Sequence, residues 1–340
     1  MIPLSRLCIA ADGRGDDQVF TFHGTRITDD MTFVDQLAQF VVSGITQGSI
    51  YALIALGFVT IYSVTGVINF AQGEFAVIGA LVAITVSQSA SLFRGQVTIE
   101  LELPLALAAL AGIAASVLAG ALVYRLGIQP ARHASVLSQI VVTIGASIVL
   151  RGLMLLAWGT EPYRLPPFTP GKPIELFGAI VIRQSIWVMG LTLVTLMGLY
   201  LFFQHTLIGK ALRASAANPG AARLMGINTL RMGLIAFALS AALGAVAGIV
   251  IAPVTFVTYD RGLMLSLKGF VAMIIGGLTS PVGAVIGGLA LGVVESLAAG
   301  LISSGYRDAF TFGVLFAVLL VRLGGVVRRG KRQALEGAGL

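Results

Sequence analysis

The sequence predicts an all-α, polytopic integral membrane protein of about eight transmembrane helices, and three observations lead there. Of 340 residues, 57% are hydrophobic and only 11% charged, with mean hydropathy +0.94, whereas a soluble globular chain has about a quarter of its residues charged. The apolar residues lie in runs of about 20, the length at which a helix crosses about 30 Å of hydrocarbon. Glycine occurs 42 times, which suits a membrane bundle, where small residues let backbones approach closely. The net charge of +7 is concentrated in loops and at the tail, so it reads as topology and not as nucleic-acid binding. The single cysteine, Cys8, leaves no intramolecular disulfide and no thiolate metal cluster.

Residues 1–35 form a polar N-terminal extension, net acidic, with Asp12, Asp16, Asp17, Asp29, Asp30 and Asp35 against Arg6, Arg14 and Arg26. It has neither packing periodicity nor an apolar core of signal-peptide length and is expected to be disordered. Met31 stands just before the first apolar run, which makes a start there a hypothesis for N-terminal sequencing. A single transmembrane domain follows over 36–325. Its first span is expected over 37–62, and the short link 63–66 folds the chain back into a second over 67–86, making a hairpin. A polar patch at 87–102 precedes a third span, 103–126, with Pro104 in the first turn, where proline is tolerated. The fourth covers 136–158, and a Pro-rich loop of mixed charge fills 159–183. A fifth covers 185–203 and a sixth 230–257. After the Gly-rich segment 263–280 come spans at 282–302 and 310–323, then the basic tail 326–340.

Basic residues in short loops mark the cytoplasmic side. The stretches 125–133 and 205–231 and the tail are basic, whereas 1–35 and 159–183 are acidic or mixed. The N-terminus is therefore expected outside and the C-terminus in the cytoplasm. The parity requires 263–280 either to cross or to dip back, and Lys268 with Gly276-Gly277 makes it short for a span and compatible with a re-entrant element. Three GxxxG matches, Gly244 to Gly248, Gly283 to Gly287 and Gly288 to Gly292, suggest close helix crossings, within the chain or with a second membrane subunit.

Catalytic signatures are sparse. There is no GxxxxGK[ST] loop for nucleotide, and histidines 23, 133 and 205 fall outside the spans, so no zinc site can be assembled within one. Gly13 to Asp16 and Tyr259-Asp260 spell the GxGD and YD of intramembrane aspartyl proteases, but in the wrong order and with Asp16 outside any span. Three charged residues lie away from the ends of predicted spans: Glu74, Arg151 and Glu295. A charge at such depth costs about 3 kcal/mol or more and must face a partner or an aqueous path. Arg151 reads as a long stem snorkelling to the interface. Glu295 reads as a structural pair or a pathway residue. Glu74 belongs to a polar cluster with Asn69 and Gln72 that can satisfy broken backbone or line the path of a polar solute.

In the basic loop 205–231, Asn218-Pro219 reads as an N-cap followed by proline at the first helical position. This predicts a short helix from Pro219 to about Met225, stopped at Gly226. Leu224 and Met225 give it an apolar face, and Arg223 offers a charge to a cytoplasmic partner.

The run SGITQGSIYALIALGFVTIYSVTGVINFAQGEFAVIGA from Ser43, the run GKALRASAANPGAARLMGIN from Gly209 and the run GGLTSPVGAVIGGLALGVVES from Gly276 resemble segments of the permease subunits of hydrophobic and branched-chain amino acid ABC importers, the LivH-like family. The likeness extends over roughly 35–325. It implies a bacterial inner-membrane subunit that pairs with a second, LivM-like permease, with two cytoplasmic ABC ATPases beneath and a periplasmic substrate-binding protein above. ATP and Mg are then bound by the ATPases, and this chain carries no cofactor, no metal and no catalytic residue. Such permeases contact their ATPases through a loop patterned EAA, three residues, then Gly. Ala221-Ala222 and Gly226 fit that spacing, but Gly220 stands where the acid would be and the later proline is absent. The coupling element implied is therefore Asn218, Pro219, Ala221, Ala222, Arg223 and Gly226, without an ion pair from the missing acid. Asn69, Gln72, Glu74 and Glu295 are the candidate pathway residues. A urea or short-chain amide importer is the alternative within the class. A stand-alone ion-coupled transporter is the rival outside it, against which stand the lack of a visible inverted repeat and the few acids at depth.

Overall fold

The computed structural model describes residues 33–88, 91–92, 97–98, 103–176 and 179–320. The expectations for 1–32, for the end of the last span beyond 320 and for the tail 326–340 fall outside these residues. Ten helices follow in order: α1 (Phe33–Thr65), α2 (Gln72–Gln88), α3 (Leu105–Val123), α4 (Val136–Trp158), α5 (Arg183–His205), α6 (Leu207–Ala217), α7 (Pro219–Leu224), α8 (Thr229–Ile251), α9 (Arg261–Gly276) and α10 (Pro281–Leu301). Residues 307–320 are helical as well. α3 continues through a wider turn, Tyr124–Ile128, into a tight one, Pro130–His133. Two short antiparallel ribbons occupy the links the sequence marks as polar, one pairing Ser91 with Thr98 and the other Ile174 with Val181.

α1 is the central helix, and every residue from Gly48 to Ile61 is buried. Its sequence carries no polar stripe over that length, and a helix apolar all round belongs inside a bundle. α8, α9 and α10 pack along it, α5 touches another part of its surface, and α2 meets it chiefly where Gln72 lies against Gly57. α3, α4 and α5 stand outside, with only about a fifth of their apolar windows buried and with Leu110, Leu118, Val141, Ile148, Leu193 and Val194 exposed. An apolar outer face around a small-residue interior is the arrangement a hydrocarbon surround requires.

Six helices among the described residues are long and apolar enough to span a membrane: α1, α3 with its extension, α4, α5, α8 and α10. The expectation of about eight exceeds this for a physical reason. The second expected span loses its first turn, because Val67 to Ala71 are not helical and α2 keeps only 17 residues. The span expected at 310–323 runs past the described residues.

The ends of the bundle differ in character. Tyr124 donates to the Leu230 carbonyl at 3.0 Å, and Ser63, Arg213, Ala217 and Thr279 border one groove, so both basic loops and the α9–α10 turn lie at one end. At the other, Tyr163 pairs with Val257, Gln88 donates to the Arg164 carbonyl at 3.0 Å, and Gln39 exchanges two hydrogen bonds with Ile180. α9, 16 residues long and thus about 24 Å, connects α8 at this far end to α10 at the basic end. The segment starts beside the first turn of α2, where Gly262 packs on Gly73 and Glu74, and ends against Gly283 of α10.

All three GxxxG matches are used inside the chain. Gly288 and Gly292 lie against α1, where a methyl at Gly288 would come 2.7 Å from Ala52 Cα and one at Gly44 2.6 Å from Val293 Cα. Gly283 and Gly287 face Gly276 and Ala272 on α9, and Gly244 and Gly248 face Phe75 and Ala76 on α2. Backbone-to-backbone approach of this kind is how helices gain dispersion energy where no hydrophobic force acts between them.

Replacing Gly288 with Leu should separate α10 from α1 and destabilise the subunit by roughly 1–3 kcal/mol or more, the usual cost of overpacking. Thermal unfolding of the purified subunit reads this as a lowered Tm and a lowered yield of folded protein; an unchanged Tm would show that the crossing gives way freely.

Candidate functional site

The first locus is the join between α1 and α2. Gly66 takes φ 70, a conformation open to glycine, and the chain then runs without regular structure to Gln72. This stretch lies inside the bundle. Ser240 Oγ of α8 is 2.6 Å from Gln72 Oε1 and 2.8 Å from the Gly57 carbonyl, and Gly57 sits eight residues before the end of α1, about 12 Å along its axis. Side chains from other helices satisfy the freed backbone groups. Thr143 Oγ1 accepts from Phe70 N at 3.3 Å and lies 3.1 Å from the Ile68 carbonyl. Ser266 Oγ accepts from Gly73 N at 2.6 Å and donates to the Phe70 carbonyl at 3.0 Å. Gln72 Nε2 donates to the Ser240 carbonyl at 3.0 Å, and Ser116 Oγ to the Phe75 carbonyl at 2.8 Å.

Asn69, Gln72 and Glu74 are each fully buried. Asn69 Oδ1 accepts from Ala71 N at 3.2 Å. Glu74 Oε1 accepts from Ser147 at 2.9 Å and from Arg151 at 2.8 Å. Arg151 thus turns inward to a carboxylate instead of snorkelling to an interface. Glu74 Oε2 and Asn69 Nδ2 have no hydrogen-bond partner among the described residues, and Gly262 leaves open the space beside Glu74 Oε2 that a side chain would fill.

The second locus lies toward the far end. Lys268 Nζ sits 2.7 Å from Glu295 Oε1 and 2.8 Å from Asp308 Oδ1, and it lies 5.6 Å from the centre of the Tyr51 ring. Arg307 approaches Glu295 at 3.5 Å, and Thr311 donates to Glu295 Oε2 at 3.3 Å. These charges border a cavity of about 280 Å³ whose other walls are α1, α2 and the end of α8. A second cavity of about 530 Å³ shares Arg261, Met264, Lys268 and Asp308 with it.

The third locus is the basic loop. Thr206 accepts from Gly209 N at 2.9 Å and starts α6. Asn218 Oδ1 accepts from Gly220 N and Ala221 N at 3.0 Å each and starts α7, with Pro219 at its first position. Asn228 caps α8 in the same way. α7 ends as its sequence predicts. Gly226 takes φ 81, its N–H bonds to the Arg223 carbonyl, and Ile227 N bonds to the Ala222 carbonyl at 3.0 Å, the paired closure of a glycine C-cap. Ala222 is buried, Arg223 Nε donates to Thr229 Oγ1 at 2.9 Å, and Leu224 and Met225 are 90% and 82% exposed.

Sequence reasoning brought Asn69, Gln72 and Glu74 together, and the structure adds that the chain is unwound through Asn69 and becomes helical at Gln72, with Glu74 in the first turn of α2. It missed α6, whose Thr206 cap and whose Ile208 and Leu212 four residues apart were legible beneath the charge of the loop. It also missed Lys268 as the partner of Glu295, Asp308 as the second partner of Lys268, and the lone hydroxyls Ser116, Thr143, Ser147, Ser240 and Ser266. A serine or threonine in an apolar span carries no signal until its neighbour's backbone is known to be broken.

The fold defines the class, a polytopic helical membrane protein. Residues 40–319 match the family described as branched-chain amino acid transport system / permease component. The high-affinity branched-chain amino acid transport system permease protein LivH of Salmonella typhimurium is 35% identical over 301 residues, covering 86% of this chain and 95% of that protein. BraD of Pseudomonas aeruginosa, of the same description, is 33% identical with the same coverage. A probable LivH of Methanocaldococcus jannaschii is 30% identical over 82% of this chain and 86% of its own length. The chain belongs to this family of permease components.

Replacing Glu74 with Ala leaves the Arg151 guanidinium facing an apolar bundle and should destabilise the subunit by about 3 kcal/mol, the scale for breaking a buried pair. The double variant Glu74→Gln, Arg151→Met should recover most of that loss. Thermal unfolding of the three proteins checks the order, and a single variant as stable as the double would show that the pair holds nothing.

Proposed function

We propose that the chain is the membrane-spanning permease subunit of an ATP-driven importer that brings branched-chain and other hydrophobic amino acids into the cell. In this reading it pairs with a second, LivM-like permease. Two cytoplasmic ABC ATPases bind ATP and Mg beneath the pair, and a periplasmic binding protein delivers the solute from above. The basic end lies in the cytoplasm of a bacterial inner membrane with the N-terminus outside, as the charge distribution supports. The names of the relatives favour amino acids over urea or a short-chain amide.

The observation that carries the ATP-driven reading is α7. A six-residue helix closed at both ends projects two large apolar side chains, Leu224 and Met225, from the basic end of the bundle. An exposed apolar pair on a rigid mount, beside a cation, is suited to docking on another protein. Force applied to α7 reaches the bundle by two routes. Arg223 ties it to the first residue of α8, and α6, whose Gly209 lies against the Phe202 backbone, ties it to α5. α8 carries Ser240, the partner of Gln72 at the start of α2, where the unwound segment ends. Movement of the docked ATPases is therefore delivered to the α1–α2 join, and Asn69, Gln72 and Glu74 act by holding or releasing it.

Gly226→Val places a β-branched side chain at φ 81, which costs about 1–2 kcal/mol locally and opens the end of α7. In the reconstituted complex, solute uptake should fall at least tenfold while basal ATP hydrolysis persists; equal stimulation of hydrolysis and uptake by loaded binding protein in variant and parent would overturn the coupling role. In cells, uptake should vanish on deletion of the partner ATPase genes and survive a protonophore while ATP is maintained. The opposite pattern would mark an ion-coupled transporter.

A further inference from the structure

The cavity at the second locus has two unlike walls. On one side are Lys268, Glu295, Arg307 and Asp308; on the other are Ala76, Val77 and Ala80 of α2, with Ile251 at the end of α8 and Leu265 of α9. Glu295 and Lys268 are 2% and 8% exposed, whereas the side chains of Arg307 and Asp308 are about half exposed. A buried pair thus lies at the base and a looser pair at the rim. The two cations and two carboxylates cancel, so this four-charge cluster is neutral; Arg261, which also lines the cavity, is solvent-exposed beside the exposed Asp260. A purely structural contact between α9 and α10 would be served as well by apolar side chains, and charge kept at depth in a membrane protein marks the passage of a polar solute.

The chemistry of the walls selects that solute. A zwitterion brings one carboxylate and one ammonium, and it can exchange partners with the cluster without changing the net charge or leaving a charge unpaired. Its carboxylate takes the place of Asp308 on Lys268, and its ammonium pairs with the Asp308 so released and with Glu295 beside it. A solute with one charge leaves an uncompensated charge among low-dielectric walls, and a neutral one forfeits the ion pairs altogether. The volume, about 280 Å³, lies near the lower edge of the roughly 300–1,000 Å³ range of small-molecule sites, and an aliphatic side chain has Ala76, Val77 and Ile251 to lie on.

We propose that this cavity is a binding station for an aliphatic α-amino acid as a zwitterion, with Lys268 receiving its carboxylate and Glu295 and Asp308 its ammonium. The inference rests on the amino-acid import proposed above.

The test uses the full complex in proteoliposomes with loaded binding protein and compares the parent with the double variant Lys268→Met, Glu295→Gln. The variant removes both inner charges at once, so no unpaired charge is left at depth; Asp308 and Arg307, which lose these partners, are about half exposed to solvent. Leucine uptake per ATP hydrolysed should fall at least tenfold, with complex yield and basal hydrolysis within twofold of the parent; uptake within twofold of the parent overturns the station. A second measurement needs no variant. In detergent and without binding protein, leucine should raise the Tm of the parent complex, whereas leucinamide and 4-methylpentanoate, each lacking one of the two charges, should not. No shift with leucine, or an equal shift with either analogue, overturns the proposal. The parent also separates the two readings. If it imports no amino acid, the proposed function fails and takes the station with it; if it imports leucine and the variant does too, only the station fails.

Discussion

A stretch of chain that is neither helix nor strand lies inside this bundle between Gly66 and Gln72, and its backbone groups have no water to turn to. Every such group must find a protein partner, and that requirement sets the positions of polar side chains on four other helices. Ser116 on α3, Thr143 and Ser147 on α4, Ser240 on α8 and Ser266 on α9 all converge on residues 68–75. α4 shows how much depends on this. Its buried residues are Thr143, Ser147 and Met154, so two of the three attach it to the bundle through the unwound segment or through Glu74 beside it.

Much of the fold was legible from hydropathy, because hydropathy reports whether a segment can be buried in hydrocarbon. α4 runs from 136 to 158 as its sequence predicts. α7 was legible for a different reason, since Asn218, Pro219 and Gly226 act on their own backbone and need no tertiary context. The unwound segment was not legible. Val67, Ile68, Phe70 and Ala71 have the hydropathy of a span, and hydropathy says nothing of conformation. The ion cluster was hidden by distance along the chain, because Lys268 and Glu295 are 27 residues apart and Asp308 falls where a link was expected. Glycine spacing announced close crossings without saying between which helices, and here all three lie within one chain.

The bundle divides mechanically. α1 and α10 touch backbone to backbone at Gly44, Gly48, Gly288 and Gly292, and sliding one past the other would drive side chains into main chain. α4 and α5 are attached over a small part of their surface, and the basic loop joins α5 to α8 through two capped helices in series, α6 and α7. Compliance is therefore concentrated at the rim and at the α1–α2 join, around a stiff inner pair.

Glu74 stands in the first turn of α2, and beginning a helix within the bundle brings the positive end of its dipole there too. The carboxylate is thus held by Arg151, by Ser147 and by the field of α2 itself, whereas Arg151 has the carboxylate and a longer hydrogen bond of 3.4 Å to Ser147 against the same field. The two charges are not equivalent lesions: a Glu74 deprived of its guanidinium keeps two sources of stabilisation, and an Arg151 deprived of its carboxylate faces a repulsive helix terminus. The pair therefore has a polarity, in which the orientation of α2 determines which sign of charge the interior can tolerate alone.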